Sequence, residues 1–108
     1  MMQDSNTEQD EKIIVHVDTE LKELIPGFLE NRHKDVQSIL KALDQDDYET
    51  ARILGHSMKG SGAGYGFDPI TDIGRSIEQA AKDRNPEEIR KWVGELLNYI
   101  SRVEVVYE

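Results

Sequence analysis

From Asp18 to the C-terminus the apolar residues recur at helical spacing, in stretches cut by short polar turns, and that periodicity points to a bundle of helices. Leu21 and Leu24 begin a short helix capped by Asp18 or Thr19, and Pro26 either interrupts it or opens the next one from its first turn. The second helix carries Ile25, Phe28, Leu29, Val36, Ile39, Leu40 and Leu43 as one stripe, with a polar gap at Arg32 and His33. It stops at Asp44-Gln45-Asp46. Asp46 followed by Glu49 has capping-box spacing and opens a third helix with Tyr48, Ala51, Leu54, Gly55, Met58 and Gly62 on one face. Asp68-Pro69 is a cap and first-turn signal for a fourth, bearing Ile70, Ile73, Gly74, Ile77, Ala80 and Ala81. Asn85-Pro86-Glu87-Glu88 repeats that chemistry, with acids where the helix dipole favours them, for a fifth helix presenting Ile89, Trp92, Val93, Leu96, Leu97, Ile100 and Val103. The expected fold is all-α: an antiparallel up-and-down four-helix bundle with a short additional N-terminal helix across one end, its interior filled by aliphatic side chains.

Ahead of the bundle, residues 1–12 hold almost nothing that could offset the entropy of ordering, and a flexible N-terminal tail is expected there, leaving 13–108 as the helical domain. Ile13 to Val17 is β-branched and suits an extended chain. With no second strand pattern to pair with, it is expected to pack as a lead-in segment. The 108 residues fit one domain, and the absence of cysteine excludes disulfides, Fe–S clusters, zinc ribbons and thiol nucleophiles together. A net charge of −9 repels nucleic-acid phosphates and anionic lipids, so neither is an expected partner. No run of 18 apolar residues occurs, and the polar, acidic start is unlike a signal peptide, so a cytoplasmic, monomeric, stand-alone protein is expected.

One segment is out of keeping with a plain bundle. Five of the eight glycines fall in Gly55-His56-Ser57-Met58-Lys59-Gly60-Ser61-Gly62-Ala63-Gly64-Tyr65-Gly66, although each glycine inside a helix costs about 1 kcal/mol relative to alanine. Gly55 and Gly62 suit close helix packing, and Gly64 and Gly66 suit the turn before Asp68. A phosphate-binding loop fits poorly. The GxGxxG order fails, and Lys59 precedes the glycines with no strand ahead of them.

On a helical projection His56 lies roughly 140° from the centre of the apolar stripe, so it faces outward. Arg52 at i−4 and Lys59 at i+3 flank it, and Gly60 at i+4 leaves the ring unobstructed. A neutral imidazole is a nucleophile near neutral pH, and two adjacent cations disfavour the imidazolium. Once a phosphoryl group is attached, the same cations face an anion and attract it. An exposed histidine by itself is ordinary solvated surface; the residues around this one make the difference.

The stretch from Gly55 to Gly62 resembles the signature of histidine-containing phosphotransfer (HPt) domains: His, any residue, apolar, Lys, Gly, then small residues. Gly66, Ile70, Ile73, Ile77 and Glu78 follow at that family's spacing, and the helical layout is similar from about Asp18 onward. Gly55 stands where alanine is usual, and Gly62 and Gly64 make the helix end more glycine-rich than is typical. The resemblance implies that His56 receives a phosphoryl group from a receiver-domain aspartate and passes it to an aspartate on another receiver. Lys59 would steady the phosphoryl oxygens, and Gly60 would give access. Glu78 would accept the proton of the other ring nitrogen and fix the tautomer. Arg52, Ser61, Ala63 and Arg75 would contribute to the docking face. Response-regulator receivers and a hybrid histidine kinase are the implied partners, with no cofactor bound and magnesium carried by the receiver. The chain has no apparatus for ATP binding, so it is expected to be a phosphoryl carrier rather than an enzyme.

Two other readings are weighed against it. The same bundle could dock receivers or kinases without carrying a phosphoryl group, but such a module needs neither His56 nor Lys59. A metal site built from His16, His33 and His56 lacks i,i+4 or Glu-x-x-His spacing, and His16 and His33 are expected as surface or packing residues.

Overall fold

The computed structural model describes residues 11–108. Strand β1 (Ile13–Val17) leads into a single 3-10 turn (Thr19–Leu21) and then α1 (Ile25–Asp44). Next come α2 (Tyr48–Ser61), a second 3-10 turn (Ala63–Tyr65), α3 (Asp68–Lys82), α4 (Pro86–Arg102) and strand β2 (Val103–Tyr107). Of the expected tail over 1–12, residues 1–10 lie outside the described residues; the Glu11 carbonyl accepts a hydrogen bond from Arg102 Nε at 2.8 Å.

The four helices pack together in the order the periodicity predicts. Their interior is built on Ile25, Ile39, Met58, Phe67, Ile70, Ile77, Ile89 and Leu96, all fully buried. It is not purely aliphatic. Phe28 stacks on Phe67 at 5.6 Å between centroids and on Tyr65 at 4.5 Å, and Tyr99 and one charged residue, Glu78, are buried as well. Leu40 and Leu97, expected in the apolar stripes, stand exposed because each sits at the margin of its helix's buried face. The polar gap in α1 is half real. His33 is exposed, whereas Arg32 folds over the Phe28 ring at 4.6 Å and pairs with Asp35 at 2.9 Å.

The lead-in segment is corrected to a strand, because β1 finds a partner in β2. The two run parallel in the register Ile13↔Val103 through Val17↔Tyr107. Val103 therefore leaves the last helix, which stops at Arg102, with Val103 extended at φ −69°, ψ 133°. Ile13, Val15 and Val17 on one strand, and Val103, Val105 and Tyr107 on the other, turn toward the core in the two-residue alternation of a strand. The short additional N-terminal helix shrinks to the one 3-10 turn, capped by Asp18 accepting from the Glu20 N–H at 2.8 Å.

Two caps shift by one residue. Asp47, not Asp46, caps α2: its carboxylate accepts from the Thr50 N–H at 3.0 Å and the Thr50 hydroxyl at 2.6 Å. The reversal out of α1 needs a left-handed residue, and Asp46 supplies it at φ 55°, which moves the cap onward. Asp68 is the first residue of α3 rather than its cap, because the preceding Phe67 is drawn into the core. Asn85 caps α4 as expected, accepting from the Glu88 N–H at 3.2 Å.

Candidate functional site

The site lies where α2 and α3 come closest, and glycines make that approach possible. A Cβ on Gly55 would stand 2.7 Å from the Glu78 backbone nitrogen, and one on Gly74 would stand 2.5 Å from the Lys59 nitrogen. At the end of α2 a Cβ on Gly62 would stand 2.6 Å from the Thr71 nitrogen. The Thr71 hydroxyl ties the helices there, donating to the Lys59 carbonyl at 3.0 Å and accepting from the Ala63 N–H at 2.8 Å. The turn that follows needs Gly66 at φ 96°.

On that frame α2 presents His56 to solvent with 64% of its side chain exposed, while α3 holds Glu78 beneath it at 8%. Glu78 Oε2 lies 3.0 Å from His56 Nδ1, and its Oε1 lies 2.8 Å from Lys59 Nζ. An ionised carboxylate only accepts, so Nδ1 is the ring nitrogen that donates, and the lone pair of the neutral ring resides on Nε2. Among the described residues Nε2 has no hydrogen-bond partner.

The Lys59 ammonium holds the Glu78 carboxyl far below the usual range, at about 2; burial opposes this, and the His56 hydrogen bond adds to it. Because the folded-state value lies below the unfolded one, the stabilisation is fully present above about pH 4.5 and is lost as pH falls toward 2. Glu78→Gln should therefore flatten the acid limb of stability between those values, as measured by denaturant midpoints across the range. An acid limb as steep as the parent's would show that Glu78 does not titrate this way.

The flanking cations are arranged differently from the expectation. Arg52 forms a two-pronged ion pair with Glu49, its i−3 neighbour, and Lys59 is engaged by Glu78. The ring thus sits beside a charge-balanced cluster rather than between two free cations. Gly60 lies on open surface, with nothing within 4 Å of where a Cβ would be. Ser61 donates to the Ser57 carbonyl at 3.1 Å and lies 3.4 Å from an Arg32 guanidinium nitrogen, and Ala63 is exposed. Arg75 pairs with Asp72 on its own helix and makes no ion pair with the cluster.

Two features were not anticipated. Lys82 brings its Nζ to 3.9 Å from Glu78 Oε2, a contact its i,i+4 spacing would have disclosed. Beside the exposed face of α2 runs a groove of about 440 Å³ lined by Leu24, Phe28, Arg32, Ser57, Ser61 and Tyr65 among others. It has no sequence signature because its walls come from three elements. His16, on β1, pairs with Glu108 just past β2 and makes no ion pair with the His56 cluster, and His33 is exposed on α1. No group of His, Cys, Asp and Glu side chains among the described residues is placed to hold a metal ion. No helix among them is long and apolar enough to cross a membrane.

No curated protein and no solved structure matches the chain. The family model described as Hpt domain matches residues 6–105, nearly the whole length. With four packed helices and that match, the chain belongs to the Hpt domain family, whose members serve phosphorelays as phosphoryl-carrying shuttles that work with receiver domains and kinases.

Proposed function

We propose that His56 is the phosphoryl acceptor, taking the group from an aspartyl phosphate on one receiver domain and giving it to an aspartate on another. One observation carries this reading: the imidazole is exposed, its Nδ1 is bonded to the buried Glu78 carboxylate, and Nε2 is left without a protein partner. In the transfer the Nε2 lone pair forms the N–P bond. The P–O bond of the aspartyl phosphate breaks, and its electron pair leaves with the aspartate. The ring keeps its Nδ1 proton and becomes a phosphoryl imidazolium facing Glu78, whose depressed pKa keeps it ionised to receive that charge. The chain supplies a positioned nucleophile; magnesium and the acidic pocket belong to the receiver.

Lys59 is the cation within reach of the new phosphoryl oxygens. Gly60, lacking a side chain on open surface, lets the receiver's active site close on the ring. Ser61, Ala63 and Arg52 border the same face, the groove continues it, and Arg75 lies at its outer rim. Arg52, Lys59 and Arg75 each hold an acidic partner in the unbound protein, so a receiver's acidic pocket would engage them in competition with Glu49, Glu78 and Asp72.

Incubation with a phosphorylated receiver and magnesium should yield a phosphoprotein stable in base and labile in acid, as a phosphoramidate is. Label with the opposite stability would place the group on an oxygen and overturn the reading. Lys59→Ala should slow transfer by about tenfold while helical content is retained, since one cationic contact to developing charge is removed and the receiver's own cations remain. Rapid-quench rates equal to the parent's would remove Lys59 from the mechanism.

A further inference from the structure

We propose that Lys82 is a positioning residue for the transfer: it takes over the hold on Glu78 when Lys59 turns toward the phosphoryl group. This rests on His56 being the acceptor. Both Glu78 oxygens are engaged in the unphosphorylated protein, Oε1 by Lys59 Nζ at 2.8 Å and Oε2 by His56 Nδ1 at 3.0 Å. Lys82, one turn along the same helix, stands 3.9 Å from Oε2, beyond hydrogen-bond length but within ion-pair range. About half of its side chain is exposed, and it has no other ion pair among the described residues. It is a cation already beside the carboxylate and not yet committed to it.

Transfer changes the balance of charge around Lys59. Formation of the N–P bond places a dianionic phosphoryl group on the solvent side of the ring, while Glu78 stays buried below it. Each step Lys59 takes outward weakens its bond to Oε1, and a buried carboxylate deprived of its cation is strongly disfavoured. The imidazolium formed in the same step offsets part of that loss through Nδ1. Lys82 supplies the rest, because about 1 Å of movement by a flexible side chain brings Nζ to hydrogen-bond distance. The carboxylate then stays under Nδ1 throughout, and Lys59 is released to the phosphoryl oxygens. Without Lys82 the two anions compete for one ammonium.

The experiment uses the full chain, loaded at His56 with phosphoramidate and then equilibrated with a magnesium-bound receiver that exchanges phosphoryl groups with the parent protein. The share of phosphohistidine at equilibrium reports the stability of the phosphorylated site and is independent of docking speed. Lys82→Gln should lower the ratio of phosphohistidine to free histidine about two- to fivefold, the scale of a half-exposed ion pair, and Lys82→Arg should restore it. In the unphosphorylated Gln variant the imidazole 15N shifts should match the parent's, because Lys59 still holds Glu78 beneath Nδ1 there, and a merely structural role would move them. An unchanged ratio in Lys82→Gln, or a lowered one that Lys82→Arg fails to restore, overturns the proposal. Failure of phosphoramidate to label His56 in the parent is a different result, and it overturns the acceptor assignment instead.

Discussion

His56→Gln is expected to reduce acid-labile phosphate on the protein to background while leaving the bundle folded. The size of the effect follows from what is removed: the amide nitrogen of glutamine has no nucleophilic lone pair, so the N–P bond has no donor and the loss is complete rather than graded. The fold should scarcely respond. The ring is 64% exposed and contributes nothing to the packed interior, and a glutamine amide can still donate to the Glu78 carboxylate. Its stability should lie within about 0.5 kcal/mol of the parent's, as for other surface substitutions. The pair of measurements is a transfer assay with acid and base lability and a denaturant titration. Labelling of the variant at the parent's level would mean that another group carries the phosphate. The lability would then separate His16 and His33 from Ser57 and Ser61, since serine phosphates survive acid and are lost in base.

Much of this site is legible in the residues because its parts are local. His56 faces outward by helical angle alone, and Lys59 and Gly60 follow from i+3 and i+4 on the same helix. Glu78 is on a different helix, 22 residues on, and periodicity does not bring it to the ring; the family resemblance does, and the structure puts it 3.0 Å from Nδ1. The engagement of Arg52 was obscured by a competing local rule. Glu49 satisfies capping-box spacing from Asp46, but once the turn takes Asp46 into the left-handed region the cap passes to Asp47, and Glu49 is free to pair with Arg52. The sheet was hidden for another reason. Val103 fits the helical stripe of α4 as well as it fits a strand, and only the alternation of Val103, Val105 and Tyr107 favours the strand. Its partner lies at the other end of the chain, and a parallel pairing of that kind leaves no turn signal to find.

Gly74→Ala should destabilise the protein and disturb the site together, and it is the change with the largest expected effect on the fold. By helix propensity alone the substitution would gain about 1 kcal/mol. Geometry reverses the sign. The new methyl would stand 2.5 Å from the Lys59 nitrogen, 2.7 Å from the Gly55 carbonyl oxygen and 2.7 Å from the Met58 Cβ, and two of these are backbone atoms that no rotamer change can move. Relief requires α2 and α3 to part by about 1 Å along their closest contact, against the close packing of Met58 and Ile77, and overpacking of this kind costs about 1–3 kcal/mol net. The same separation would lengthen the bond between Glu78 and His56, so slower transfer should accompany the loss of stability. Gly94→Ala is the control, an exposed glycine within α4 with nothing within 4 Å of its Cβ position, and it should gain about 0.5–1 kcal/mol. Denaturant midpoints that move in opposite directions for the two variants would show that contact between the helices, rather than glycine content, sets the position of Glu78 under the ring. A Gly74→Ala protein as stable and as fast in transfer as its parent would mean that the helices part freely, and the distance between His56 and Glu78 would then have to be held by something other than this contact.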